Sequence, residues 1–237
     1  MNKKENRFQG FTLVEMAVVL VILGLLLSAL LIPLSAQIDQ RNYTETQKHM
    51  DEIREALIGY GASHGYLPCP AVSASNGSED RSANTCTGNK RVGFLPWAEL
   101  GVPKLDSWGH LYRYSVTLAY ADSTTKISMA ATGDITIQTR DSTGSLVNMS
   151  KANSIQAAVV SFGKNGALAY NDDGTQIANG SATNVDEVTN ATGSGTTFVS
   201  RTFTDNTATT GGEFDDIVVW LSPNVYLNRM ISAGQLP

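Results

Sequence analysis

A single carboxylate stands at the entrance to a long apolar run near the start of the chain. The order is Gly10-Phe11-Thr12-Leu13-Val14-Glu15, and no charged residue occurs from Met16 to Ile38. A carboxylate at the edge of a membrane helix is costly, so such groups usually have a partner and a function. The Glu15 carboxylate could form an ion pair with an amine. We therefore predict that Glu15 is a functional residue and that the helix is more than a membrane anchor.

The apolar run itself predicts a membrane helix. At about 23 residues it is long enough to cross a hydrocarbon core of about 30 Å. A secretory signal peptide would have a shorter core followed by its cleavage site, whereas Gly10 precedes this run, and a cut there would leave the helix on the mature protein. Lys3, Lys4 and Arg7 lie before it. Because positive flanks stay cytoplasmic, we expect the rest of the chain to be exported.

This pattern resembles the prepilin signal of type IV pilins and type II secretion pseudopilins. The matching residues are Gly10, Phe11, Thr12, Leu13 and Glu15. The resemblance implies that a prepilin peptidase cuts between Gly10 and Phe11 and methylates the Phe11 amine. It also implies that Glu15 pairs with the terminal amine of a neighbouring subunit. The implied partners are other subunits, the peptidase and an inner-membrane assembly platform. The alternative is a signal anchor with an interfacial glutamate.

Simple electrostatics supports the pairing of Glu15 with an amine. A free α-amine titrates near pH 8, so it is mostly cationic at neutral pH. Opposite charges about 4 Å apart gain about 4 kcal/mol at an effective dielectric constant near 20, before the cost of desolvation is subtracted. Neither charge is satisfied alone in lipid, so pairing would favour ordered docking of each new helix.

Composition limits the remaining classes of function. The chain has 237 residues and a net charge of −5, which gives no basic footprint for nucleic acid. Removing a helix of about 50 residues leaves enough for one compact domain. Cys69 and Cys86 predict a disulfide in an exported domain. A metal site at these cysteines is less favoured, because no further Cys or His lies at ligand spacing.

The pattern of apolar residues predicts an α+β fold with one long N-terminal helix packed on an antiparallel sheet. Met50, Ile53, Leu57 and Tyr60 form an apolar stripe, which continues the helix to about Ser63 and faces a globular head. The predicted regions are a leader at 1–10, a transmembrane and assembly helix at 11–38, an amphipathic helix at 39–63 and a head at 64–237. Strands are predicted at 111–120, 126–130, 134–139, 155–162, 197–203 and 217–221, with a last helix from 223 to about 233.

Residues 174–213 are rich in Ser, Thr, Asn and Gly. Loops of this length are usually functional or disordered. The segment is either a mobile surface excursion or a β-hairpin insertion, and we expect an exposed insertion that carries one hairpin.

A second resemblance lies in the head. Asp106-Ser107-Trp108-Gly109 and Ser161-Phe162-Gly163-Lys164-Asn165-Gly166 are similar to elements of major pseudopilins, as is the later stretch Phe214 to Trp220. In those proteins a late loop rich in aspartate binds calcium, which implies oxygen ligands here. The candidates are Asn171, Asp172, Asp173, Asp215 and Asp216, and calcium takes six to eight such oxygens. The alternative is a turn at the first group and a strand start at the second.

Catalytic patterns are missing from the sequence. His49, His64 and His110 are scattered without partners at metal or general-base spacing. Neither a G-x-S-x-G nucleophile elbow nor a Walker-type phosphate loop occurs. Together with the resemblance to the prepilin signal, this predicts a structural subunit of a pilus or a secretion pseudopilus rather than an enzyme. The alternative is a minor pilin at a filament tip, whose insertion binds surfaces or ligands.

Overall fold

The computed structural model describes residues 12–236 and, within them, all side chains except those of 27–34. Gly10 and Phe11 lie outside the described residues. The chain divides into two compact units, Met1–Arg41 and Asn42–Pro237. Over the part that the structure describes, no helix is both long and apolar enough to cross a membrane. The transmembrane segment predicted at 11–38 includes undescribed residues and is not confirmed.

The secondary structure confirms the α+β class. The helices are α1 Leu13–His64, α2 Trp97–Leu100, α3 Val185–Thr192 and α4 Pro223–Ser232. The strands are β1 Arg81–Ser82, β2 Thr85–Cys86, β3 Val92–Phe94, β4 Arg113–Val116, β5 Thr136–Arg140, β6 Leu146–Asn148, β7 Ala157–Ser161, β8 Thr197–Val199 and β9 Ile217–Trp220. Most predicted strands are present but shorter. No strand forms at 126–130, where Lys126 has a positive φ of 53°.

A four-stranded antiparallel sheet in the order β3-β4-β7-β9 is the centre of the head. All five residues of β7 are buried, because both faces of this strand are covered. On one face, Met50, Ile53 and Leu57 of α1 pack in a core with Tyr112 and Tyr114. The predicted apolar stripe of the helix therefore does cover the sheet.

A second sheet, in the order β6-β5-β8, packs on the opposite face. Its core joins Ile135, Ile137 and Phe198 to Val160 and Val218 of the central sheet. β5 and β8 are parallel, unlike the antiparallel pairing that the sequence predicts throughout. A parallel pair needs a long crossover connection, and the chain between β5 and β8 supplies one.

The segment 174–213 differs most from its prediction. It carries α3 and β8 rather than a hairpin, and Phe198 of β8 is part of a core. The hairpin-like pairing there consists of two isolated antiparallel bridges, Tyr170–Gln176 and Thr204–Phe214. The helix was missed because its buried face is polar, with Asp186, Glu187 and Asn190 turned inward. Apolar periodicity is not expected to reveal such a helix.

Candidate functional site

The start of α1 is a reciprocal cap between Thr12 and Glu15. Glu15 Oε2 accepts hydrogen bonds from the backbone N–H of Thr12 at 2.8 Å and from its hydroxyl at 2.9 Å. The Glu15 N–H donates to Thr12 Oγ1 at 3.2 Å. This is a capping box, which satisfies donors that a helix start otherwise leaves free. Both bonds to the carboxylate use Oε2, so Oε1 accepts none from the described residues.

The N-terminal part of α1, from Leu13 to Leu26, exposes large apolar side chains. Leu13 is 87% exposed, and exposed Val, Leu, Ile and Met residues continue through Leu26. Large contiguous apolar surfaces on soluble proteins mark contact with lipid or with other chains. This helix segment therefore requires such a contact.

The disulfide expected between Cys69 and Cys86 is present in the structure. Both residues are buried, and the Cys69 N–H donates to Glu79 at 2.9 Å. Arg81 binds the same carboxylate at 2.9 Å and donates to backbone oxygens of Leu67 and Ala121. The disulfide thus lies in a loop that the hydrogen bonds of Glu79 and Arg81 hold in place.

The two motifs that resemble pseudopilins meet at Asp106. Its carboxylate accepts from the N–H groups of Trp108 and His110 at 3.0 and 2.9 Å and from the Ser161 hydroxyl at 2.6 Å. His110 Nδ1 lies 3.7 Å from Asp106 and has no hydrogen-bond partner among the described residues. Because Ser161 bonds to the aspartate and not to the histidine, the group orders a turn and is not arranged for nucleophilic catalysis.

Three carboxylates form an acidic centre, defined here as Glu187, Asp215 and Asp216. One ligand oxygen from each lies within 4.8 Å of the others. Glu187 is fully buried in the first turn of α3, and Asp216 is 7% exposed just before β9. Such proximity of two buried carboxylates and a half-buried one is unfavourable unless protons or a cation compensate their charge.

Amide donors surround the acidic centre but leave two oxygens without partners. Glu187 accepts from the side chains of Asn165 and Asn184 at 2.9 and 2.8 Å. Asp216 Oδ2 accepts from Asn190 at 2.8 Å. The Oδ1 atoms of Asp215 and Asp216 are buried and accept no hydrogen bond from the described residues. A cation would satisfy both.

The pKa values of the two aspartates of the acidic centre, Asp215 and Asp216, are raised. Burial raises the pKa of Asp215 to about 7, against the effect of a hydrogen bond from the Asn165 N–H, and the charge of Glu187 raises it further. Burial, followed by the charge of Glu187, also holds the pKa of Asp216 well above its usual range. The folded chain therefore pays a cost to keep these groups ionised, which a bound cation would offset.

The other predicted ligand segment lies outside the acidic centre. Asn171 to Gly174 form a turn in which the Gly174 N–H donates to the Asn171 oxygen at 2.9 Å. Asp173 accepts from Thr175 at 2.8 Å and Asp172 forms an ion pair with Lys104. Glu187 was missed by sequence reasoning. The local pattern Asn184-x-x-Glu187 resembles a capping box and could have revealed it.

Asp186, the neighbour of Glu187, has cationic partners. It is 1% exposed. Arg140 donates to both of its oxygens at 2.7 Å. Arg201 Nε lies 2.8 Å from Oδ2 as an ion pair without hydrogen-bond geometry. We call these three residues the Asp186 triad; it fastens α3 to β5 and to the chain after β8.

Comparison with known proteins supports the resemblance at the N-terminus. Residues 6–31 match the family model described as the prokaryotic N-terminal methylation motif. This motif is the signature of the prepilin-type signals of type IV pilins and pseudopilins. It implies processing by prepilin peptidase and assembly with other pilin-type subunits. Searches of curated proteins and of solved structures gave no match.

Proposed function

We propose that this protein is a structural subunit of a type IV pilus or a type II secretion pseudopilus. The observation that carries the proposal is the methylation motif at residues 6–31. The exposed apolar surface at the start of α1 supports it, because a filament or a bilayer would cover that surface. The subunit enters the inner membrane with its leader in the cytoplasm and its head exported.

Maturation then creates the partner for Glu15. Prepilin peptidase cuts between Gly10 and Phe11 and methylates the Phe11 amine. In the subunit, the capping box with Thr12 occupies Oε2 of Glu15. Oε1 can bind the cationic amine of a neighbouring subunit without loss of the cap. An assembly platform in the inner membrane adds each subunit, and the pairing fixes the axial position of its helix.

Mass spectrometry of protein purified from its native membrane tests this proposal. We expect a chain that starts at methylated Phe11. Its mass should be lower than that of the reduced chain by two hydrogen atoms, because of the Cys69–Cys86 disulfide. A Gly10→Val variant is the control and should keep its leader. A wild-type chain that retains the leader, or that is cut after the apolar run, would refute the proposal.

The second candidate function is that of a minor subunit at a filament tip that binds surfaces or ligands. Phe203, in the segment 174–213, is 67% exposed. Deleting the whole segment would remove Phe198 from a core, so it would not separate binding from folding. Phe203→Ser is the better test. Loss of adhesion with normal filaments would favour the tip role, and unchanged adhesion would count against it.

We also propose that the acidic centre binds calcium. The support is the pair of buried oxygens without partners on Asp215 and Asp216, together with Glu187 close by. Calcium prefers carboxylate and amide oxygens. Asn171, Asp172 and Asp173 are assigned no part in this site, because other groups satisfy Asp172 and Asp173.

Isothermal titration of the metal-free full chain with calcium chloride tests this site. We expect one bound ion per chain, at least tenfold weaker binding in Glu187→Gln, and unchanged binding in the matched control Asp172→Asn. Equal affinity of wild type and Glu187→Gln would refute the assignment. Loss of calcium binding in Asp172→Asn but not in Glu187→Gln would instead indicate that calcium binds at the segment 171–173 predicted from the sequence.

A further inference from the structure

The chain contains three Asn-Gly pairs, which begin at Asn76, Asn165 and Asn179. Asparagine is a chemically labile residue. A glycine after it has no side chain, so its backbone nitrogen can approach the asparagine amide closely. The three pairs therefore offer the same chemistry, and their surroundings in the folded head decide which of them can react.

The side-chain amide of Asn76 is the one that can leave without breaking a hydrogen bond. Asn76 is exposed, and its Nδ2 donates to no residue that the structure describes. By contrast, Asn165 Nδ2 donates to Glu187 Oε1 at 2.9 Å. Asn179 Nδ2 donates to Asn184 Oδ1 at 3.0 Å. Glu187 and Asn184 are both buried, and a buried acceptor that loses its donor is costly.

The backbone nitrogen of Gly77 is the group placed to attack the Asn76 side chain. The Ser78 N–H donates to Asn76 Oδ1 at 3.1 Å, and this bond closes an Asx turn that folds the side chain back over the Gly77 peptide. The Gly77 N–H meets no acceptor within the described part of the chain. Backbone N–H groups without a protein acceptor are normally bound to water, and both neighbours, Asn76 and Ser78, are exposed. Water can therefore take the proton from this nitrogen.

We propose that Asn76 is a site of self-modification, at which an amide becomes a carboxylate without an enzyme. The Gly77 nitrogen gives its proton to water and forms a bond to Asn76 Cγ. The bond from Cγ to Nδ2 breaks, and the amide nitrogen takes up a proton from water and leaves as ammonia. A second water molecule then adds to one of the two carbonyl carbons of the succinimide ring and opens it. The product is aspartate or isoaspartate, and no group is oxidised or reduced.

The modified turn differs from the original in charge and in length. Either product adds a negative charge to a chain of net charge −5, and isoaspartate also adds a carbon atom to the backbone before Gly77. This glycine packs so closely on the Trp97 ring that a Cβ would not fit. Its oxygen accepts from the Ala98 N–H at 3.2 Å. Isoaspartate should therefore loosen the contact between this turn and α2.

Peptide mapping of the full chain, incubated folded in detergent at mildly alkaline pH and then digested in acid, tests the proposal. Mass spectrometry follows the conversion of amide to carboxyl in the three peptides that contain Asn76, Asn165 and Asn179. We expect Asn76 to convert at least tenfold faster than the other two. In a chain unfolded in guanidinium chloride the three rates should come close together, because the folded surroundings no longer distinguish them. Equal or slower conversion of Asn76 in the folded chain, or the same ratio of rates in the unfolded chain, would overturn the proposal.

Asn76→Gln tests the attacking pair, because the glutamine amide carbon lies one bond further from the Gly77 nitrogen and closes a ring less readily. We expect no conversion in this peptide and a nearly unchanged Tm, since the position is on the surface. Asn228→Gln, the same change at an exposed position of α4, is the matched control and should leave conversion at Asn76 at the wild-type rate. Conversion in Asn76→Gln as fast as in wild type would overturn the assignment of this residue.

Discussion

The Asp186 triad allows a direct test of what holds the segment 174–213 in place. Asp186→Ala removes a carboxylate that is 1% exposed and leaves the Arg140 and Arg201 guanidinium groups without it. The two arginine side chains are 16% and 9% exposed, so solvent would screen them poorly. Breaking a buried ion pair from one side costs about 3–5 kcal/mol.

This cost should be visible in thermal unfolding. For a domain of this size, about 1 kcal/mol corresponds to a change of about 2–4 °C in Tm. We therefore expect Asp186→Ala to lower the Tm by about 6–20 °C, as measured by circular dichroism at a fixed calcium concentration. Asp205→Ala, an exposed position in the same segment, is the matched control and should shift the Tm by less than about 2 °C.

Hydrogen exchange locates the effect within the head. If the triad fastens α3, then amide protection in Val185–Thr192 should fall more than protection in β7, which is buried on both faces. A Tm within about 2 °C of wild type, or a uniform loss of protection, would refute the role given to the triad.

Three further predictions concern other parts of the chain. Glu15→Gln keeps the capping box with Thr12, because glutamine serves at that position, but lacks the charge. We expect it to be cleaved normally at Gly10 but to assemble poorly, and filament yields at the wild-type level would contradict the pairing. Reduction of the Cys69–Cys86 disulfide, which closes a separation of 17 residues, should lower the free energy of unfolding by about 3 kcal/mol, as measured in urea with and without reductant; a loss below about 1 kcal/mol would count against this. Burial acts to raise the pKa of Asp134, but the bonds from Arg91 and Thr117 outweigh it and lower the pKa. The resulting stability is present above about pH 4 and is lost as the pH falls through the lowered folded-state value. Asp134→Asn should therefore flatten the decline in urea stability between about pH 5 and pH 2, and an unchanged slope would refute this reasoning.

The local sequence predicted the structure correctly at positions where a single residue type strongly favours one local conformation. The last helix was predicted from Pro223, and α4 indeed runs Pro223–Ser232, because proline suits the first helical turn. The end of α1 at His64 lies one residue beyond the predicted Ser63. The disulfide also followed from residue type and compartment.

Features that depend on tertiary contacts were not predictable in this way. β6 has three exposed residues, so it shows no apolar alternation, and its pairing with β5 defines it. α3 buries carboxylates and amides. The desolvation cost of burying them is offset by partners distant in the sequence, such as Arg140, which pairs with Asp186. The acidic centre combines Glu187 with Asp215 and Asp216, which are distant in the sequence, so it leaves no contiguous motif.

The parallel pairing of β5 with β8 has a consequence for the order in which the head acquires its structure. The chain between these two strands includes β6, β7 and α3. Bringing β5 and β8 together therefore requires a loss of chain entropy before their contacts can offset it. The disulfide loop, by contrast, is short and can close early. We therefore expect a newly exported head to form the disulfide before β5 pairs with β8. The parallel pairing of β5 with β8 should form late, which gives a period in which quality-control proteases can reach β8 and its neighbouring residues.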